Sequence, residues 1–115
     1  MFLKKLVFKY MHQLYFFPEA QKAFLDLDKK VQQEIKDKLE LLIKNPEISG
    51  KLKSFRKLLT VKNGYRIRVG RFRVLYVLIT PKKQIWVCDI FLKKSEADYK
   101  KVIKRLIERG QVQGF

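Results

Sequence analysis

The side chains best suited to chemistry in this chain are the guanidinium and ammonium groups gathered in its middle. Lys51, Lys53, Arg56, Lys57, Lys62, Arg66, Arg68, Arg71, Arg73, Lys82 and Lys83 fall between residues 51 and 88, a stretch that contains no Asp or Glu. A folded domain must solvate such cations or turn them toward a polyanion, because burying an unpaired charge is costly. Their spacing narrows the choice. In Tyr65-Arg66-Ile67-Arg68-Val69 the two-residue period of a strand places Arg66 and Arg68 on one face and the three apolar side chains on the other. Two planar forks side by side match the oxygens of phosphate groups. Arg73 shares a strand face with Leu75, Val77 and Ile79, where a cation needs a reason. The plainer reading of Arg73 is a strand-end arginine reaching to water, and that of Arg66 and Arg68 an ordinary solvated face.

The charge of the whole chain favours a polyanion. Lys and Arg number 27 against 11 Asp and Glu in 115 residues, a formal charge of +16. Solubility alone needs far less, while a basic field interleaved with aromatic residues suits a phosphate backbone. Other chemistries are disfavoured. Cys88 is a single cysteine and His12 a single histidine, so neither a disulfide framework nor a zinc site is expected, and no cofactor is implied. No apolar run nears the ~20 residues needed to span a bilayer, and the lysines of MFLKKLVFKY interrupt any signal-peptide core. An intracellular, cytoplasmic protein with no membrane contact is expected. At 47% apolar residues, with nine Phe and five Tyr, the chain can build one core, and a single domain over residues 1–115 is the natural division.

The elements that must position these groups follow from periodicity. HQLYFF, residues 12–17, reads as a strand stopped by Pro18, which opens a helix carrying Ala20, Ala23, Phe24 and Leu27. Asp28 can cap a second helix, in which Val31, Ile35, Leu39, Leu42 and Ile43 form one stripe and Asn45-Pro46 marks the end. After Gly50 the period changes to alternation. Residues 65–69, 72–79 and 84–91 read as three strands of an antiparallel meander, joined by Gly70-Arg71 and by TPKK. Ser95 can cap a final helix from about Glu96 to Arg109, with Gly110 at its end and residues 111–115 expected to fray. The fold class is α+β: an N-terminal strand and a two-helix hairpin packed on a three- to four-stranded antiparallel sheet, with a C-terminal helix. The helices are expected on one face of that sheet.

Four stretches in this order resemble the RelE/ParE superfamily of toxins from toxin-antitoxin modules, including its HigB-like branch. They are LYFFPEAQKAFLDLDKKVQQEIKDKLELLIKNPE, LKSF, YRIRVGRFRVLYVL and FLKKSEADYKKVIKRL. Together they span nearly the whole chain from residue 12, and YRIRVGRFRVLY followed by a strand and a Lys-Lys-Ser turn is the most specific. Met11 stands where many such proteins begin, so residues 1–11 are expected to be an N-terminal extension or to reflect the choice of start site. The resemblance implies a growth-arresting toxin neutralised by an acidic antitoxin, and two activities compete within it. RelE-like and HigB-like members cleave messenger RNA, typically on the ribosome, whereas ParE-like members poison DNA gyrase.

Metal-independent RNA cleavage uses the ribose 2′-OH as nucleophile. It needs a base for that proton, cations for the phosphorane and an acid for the departing 5′-oxygen. By position in the family pattern, the resemblance implies catalytic roles for Arg66, Arg68, Arg73, Lys93 or Lys94, and Tyr99. Lys51, Lys53, Arg56, Lys57 and Arg71 are the accompanying RNA-binding candidates. There are departures from the pattern. Many members carry a histidine beside the basic residue after the last strand, where this chain has Phe91-Leu92, and His12 is read as structural. Tyr99 replaces a position often held by proline and opens a core helix, so packing on the sheet competes with catalysis. Asp89 is read as a salt-bridge partner of an arginine rather than a proton carrier. The leading reading is a ribosome-dependent mRNA endonuclease. A gyrase inhibitor is the alternative, and a non-catalytic RNA-binding or ribosome-binding module, stacking bases on Phe72, Tyr76 or Trp86, is the third.

Overall fold

The computed structural model of the chain describes residues 12–115; the expected extension, residues 1–11, lies outside the described residues. In order, the elements are β1 (Gln13–Phe16), α1 (Pro18–Leu25), α2 (Lys29–Lys44), β2 (Phe55–Lys57), β3 (Gly64–Val69), β4 (Phe72–Ile79), β5 (Gln84–Leu92) and α3 (Glu96–Glu108). The strands form one sheet in the order β1-β5-β4-β3-β2. β2 to β5 are antiparallel neighbours, and β1 extends that four-stranded unit by pairing parallel to β5, Tyr15 opposite Trp86. The expected α+β class is therefore present, with the first strand joined to the sheet rather than lying apart from it.

The helices divide between the two faces of the sheet, which corrects the expectation of a single helical layer. Ala20 and Phe24 of α1 and Ile35, Leu39 and Leu42 of α2 pack with Ile67, Val69, Val74, Tyr76, Ile85 and Val87. Val102 and Leu106 of α3 pack with Leu58, Val61, Leu75 and Cys88. Val74 and Tyr76 belong to one cluster and Leu75 to the other, as strand alternation requires of two opposite faces. A helical stripe specifies that it is buried but not against which side of a sheet, so periodicity alone could not separate α3 from the other helices.

One irregularity re-aims the side chains of β5. The register slips between Leu75 and Tyr76, which face Asp89 and Val87, so Cys88 is the extra residue of a β-bulge. Strict alternation would send Asp89 to the α1/α2 face. The bulge instead lets Cys88 and Asp89 both face α3, and it carries Phe91 to that side as well. The turn between β3 and β4 needs only Gly70 and Arg71, and Gly70 adopts a left-handed φ of 58°. α3 ends in a Schellman motif: Gly110 takes φ 71° and its N–H meets the Ile107 carbonyl, while Gln111 N–H reaches the Leu106 carbonyl. Of residues 111–115, expected to fray, the first four are tied down and Phe115 is exposed. Val112 is buried, the Gln113 carbonyl accepts from Lys62 N–H at 2.7 Å, and Gly114 bridges Val61.

Candidate functional site

The groove arises where α3 stops covering its face of the sheet. α3 closes over Leu75 and Cys88 but leaves open the corner made by β2 and β3, and a groove of about 710 Å³ runs there. Arg66 of β3 and Arg73 of β4 form part of its floor, Arg56 and Lys57 of β2 one wall, and Lys93, Tyr99, Lys100 and Lys104 the other. Leu58, Leu59, Ile103 and Ile107 supply an apolar end.

Arg73 is held firmly. It is 9% exposed, and its Nη1 donates to the Gly70 carbonyl at 2.8 Å and the Phe72 carbonyl at 2.9 Å. These bonds fix the guanidinium by the turn, while its Nε is buried with no hydrogen-bond partner among the described residues. Arg66 is half-buried and its Nη1 is likewise without a partner. Burial lowers the Arg66 pKa, and the Arg73, Arg56 and Arg68 guanidinium groups lower it further, against the opposing influence of the Tyr99 phenol. A guanidinium stays charged even so. The groove thus brings the Arg66 and Arg73 guanidinium groups together with Arg56, Lys57 and Lys93, a concentration of cations that attracts an anion with several acceptor oxygens.

At the start of α3 sits an ion pair. Lys93 Nζ lies 2.8 Å from Glu96 Oε1 and 5.8 Å from the centre of the Tyr99 ring. The hydrogen bond and charge of Lys93, with the fields of Arg73 and Arg66, hold the Glu96 carboxyl below its usual range. Asp98 accepts the backbone N–H groups of Lys94 and Ser95 and so anchors the first turn of α3. Tyr99 meets Phe91 edge to face at 5.4 Å while lining the groove, so one ring serves both packing and the site.

The structure gathers Arg66, Arg73, Lys93, Tyr99, Arg56 and Lys57 at one place. Arg68 and Lys53 line a separate cavity, and Lys51, Arg71 and Lys94 are exposed and line neither. Arg71 contributes through its backbone, whose carbonyl accepts Lys93 N–H at 2.8 Å. Asp89 is 5% exposed and pairs with Arg105 at 2.8 Å, pinning α3 to β5. Tyr76, considered as a base-stacking ring, is fully buried with its hydroxyl 2.6 Å from Ser49 Oγ, and Trp86 is stacked on Tyr15 at 4.7 Å. Sequence reasoning missed Glu96, Lys100 and Lys104 as lining residues. Their i, i+4, i+8 spacing on the last helix was the available signal.

Among the described residues no helix is long and apolar enough to cross a membrane, and no group of His, Cys, Asp and Glu could hold a metal ion.

Similar proteins share this framework. The isolated RelE toxin of E. coli superposes with a TM-score of 0.63 at 23% identity, covering 83% of this chain and 98% of that one. The toxin in the intact E. coli RelBE toxin-antitoxin complex gives 0.58 at 23% identity, over 73% and 99%. The RelB-RelE complex of Methanococcus jannaschii gives 0.58 at 24%, over 74% and 96%. At these identities the likeness is one of fold. No curated protein matches the sequence. The sequence model described as the ParE toxin of the type II toxin-antitoxin system parDE matches residues 14–96. That match runs from β1 through the sheet into the first residue of α3 and takes in Arg66, Arg73 and Lys93, so the chain belongs to the ParE toxin family, within the RelE/ParE superfamily of toxin-antitoxin toxins.

Proposed function

We propose that the chain is the toxin of a toxin-antitoxin module that cleaves messenger RNA on the ribosome, in the cytoplasm, and is neutralised by an acidic antitoxin. The observation that carries this reading is the pair Arg66 and Arg73, which line one groove with Lys93 and Tyr99. In the reaction, the ribose 2′-oxygen loses its proton and attacks the adjacent phosphorus. The bond to the 5′-oxygen breaks, and that oxygen takes a proton, leaving a 2′,3′-cyclic phosphate and a 5′-hydroxyl. Arg66 and Arg73 stabilise the charge gathered on the phosphorane. In this reading Lys93 and Tyr99, neighbours in the groove, move the two protons. The acidic partner follows from the uncompensated cations and from the toxin-antitoxin pairing of the similar structures.

The match to a family described as ParE favours a second reading, inhibition of DNA gyrase. Inducing the protein alone and mapping message ends by primer extension separates the two. Cuts in register with codons, abolished by Arg66→Ala in a folded protein, are the expected result. Growth arrest without such cuts, accompanied by loss of gyrase supercoiling, would move the assignment to gyrase.

A further inference from the structure

Arg68 is the one strand arginine that the groove does not use. Its register partner across β3 and β4 is Arg73, a floor residue of the groove, yet its own side chain lines a second cavity of about 420 Å³. Arg73 Nη1 donates to the Gly70 carbonyl at 2.8 Å, and Gly70 lines the second cavity, so the two cavities meet at the β3–β4 turn. The second one is made by Lys38 of α2, Lys53 and Ser54 before β2, Arg68, and Glu34 at its lip. It is built on order. Arg68 N–H donates to the Ser54 carbonyl at 2.8 Å, and the half-buried Lys38 ammonium lies 3.4 Å from Ser54 Oγ and 5.9 Å from the Phe55 ring centre. Among the described residues no carboxylate lies within ion-pair distance of Lys38, Lys53 or Arg68.

We propose that this cavity is a phosphate subsite that grips the messenger phosphodiester next to the scissile one. The assignment rests on the endonuclease reading above. Arg66 and Arg68 are two residues apart on β3, about 7 Å between their Cα atoms, and the Arg68 charge is felt at Arg66, a reach comparable to the separation of successive phosphates on an extended nucleic acid. A messenger with one phosphate over Arg66 and Arg73 therefore brings the next to Arg68, where Lys38, Lys53 and the Ser54 hydroxyl complete the shell. Arg68 is then a strand-gripping residue, and Glu34 is the local repulsion that weakens the grip.

The test uses ribosomes programmed with a messenger that carries 2′-deoxyribose at the cleavage position, so that the full-length toxin binds without cutting. Lys38→Ala with Arg68→Ala should weaken binding roughly ten-fold, two charge-assisted contacts being lost and partly screened by salt. Glu34→Gln should tighten binding, a gain that a merely structural role would not produce. Replacing the adjacent messenger phosphate by a neutral methylphosphonate should weaken the wild type and leave the double variant unaffected. If the double variant binds as the wild type does, the subsite is overturned. The same holds if its loss is independent of the methylphosphonate, for the phosphate then belongs to ribosomal RNA. A wild type that neither binds programmed ribosomes nor cuts ordinary messengers overturns the endonuclease reading and the subsite together.

Discussion

The two faces of the sheet are cut from the same strands and do different work. Beneath α1 and α2, Ile35 and Leu42 meet Ile67, Val74, Ile85 and Val87 with no exposure at all, and the buried Tyr76 hydroxyl is matched by Ser49. Beneath α3 the apolar layer ends partway, and Arg66, Arg73 and Arg56 continue the surface into an open groove. The contrast starts from the two-residue period of the strands: β3 sends Tyr65, Ile67 and Val69 to the α1/α2 face and Arg66 to the groove, while in β4 Arg73 lies on the α3 side together with Leu75. A fully packed face can hold the fold while its reverse keeps cations together at some cost in stability. That division is what a small protein with a charged site requires.

The strongest way to break this comparison is to empty the closed face. Leu42→Ala should lower unfolding free energy by about 2–5 kcal/mol in urea titrations, since a fully buried leucine leaves a cavity that its neighbours fill only in part. On the open face the outcome should reverse. Arg66→Ala should cost about 10²- to 10³-fold in RNA cleavage and leave the thermal midpoint unchanged or raised, because Arg66 is repelled by Arg73, Arg56 and Arg68. A drop in stability as large as that of Leu42→Ala would mean the groove cations are structural.

A third variant probes the seam between the two. Arg105→Ala leaves the Asp89 Oδ2 buried without its partner while Oδ1 keeps the Ile90 N–H, and should destabilise by about 1–3 kcal/mol. The smallest effect concerns pH. Hydrogen bonds from Lys94 and Ser95 N–H hold the Asp98 carboxyl below its usual range. A depressed folded-state pKa gives stabilisation that is complete above the unfolded value, about 4 for aspartate, and is lost as pH falls through the folded value. Amide shifts of Lys94 and Ser95 should therefore move together on acidification. In Asp98→Asn that transition should be absent.

Much of this was legible in residue order. Alternation at 65–69 separated Arg66 and Arg68 from Tyr65, Ile67 and Val69, and the stripe from Val31 to Ile43 marked α2. Asp89 was readable as an arginine's partner, though not as Arg105's. Arg68 shows the limit. Alternation groups it with Arg66, but its side chain lines the cavity beside α2 rather than the groove, at the sheet edge where β2, only three residues long, begins.

Local pattern decides what a residue must do within its own element, because a strand's period and a helix's stripe are set by neighbours a few positions away. It settled the element order, the sidedness of β3 and the concentration of charge. Contacts between distant segments decided the rest: the parallel seat of β1 on β5, the placement of α3 opposite α2, the docking of residues 111–114 and the bulge at Cys88. Each is a choice among arrangements that satisfy the same local periods, and only packing and hydrogen bonding across the sheet tell them apart.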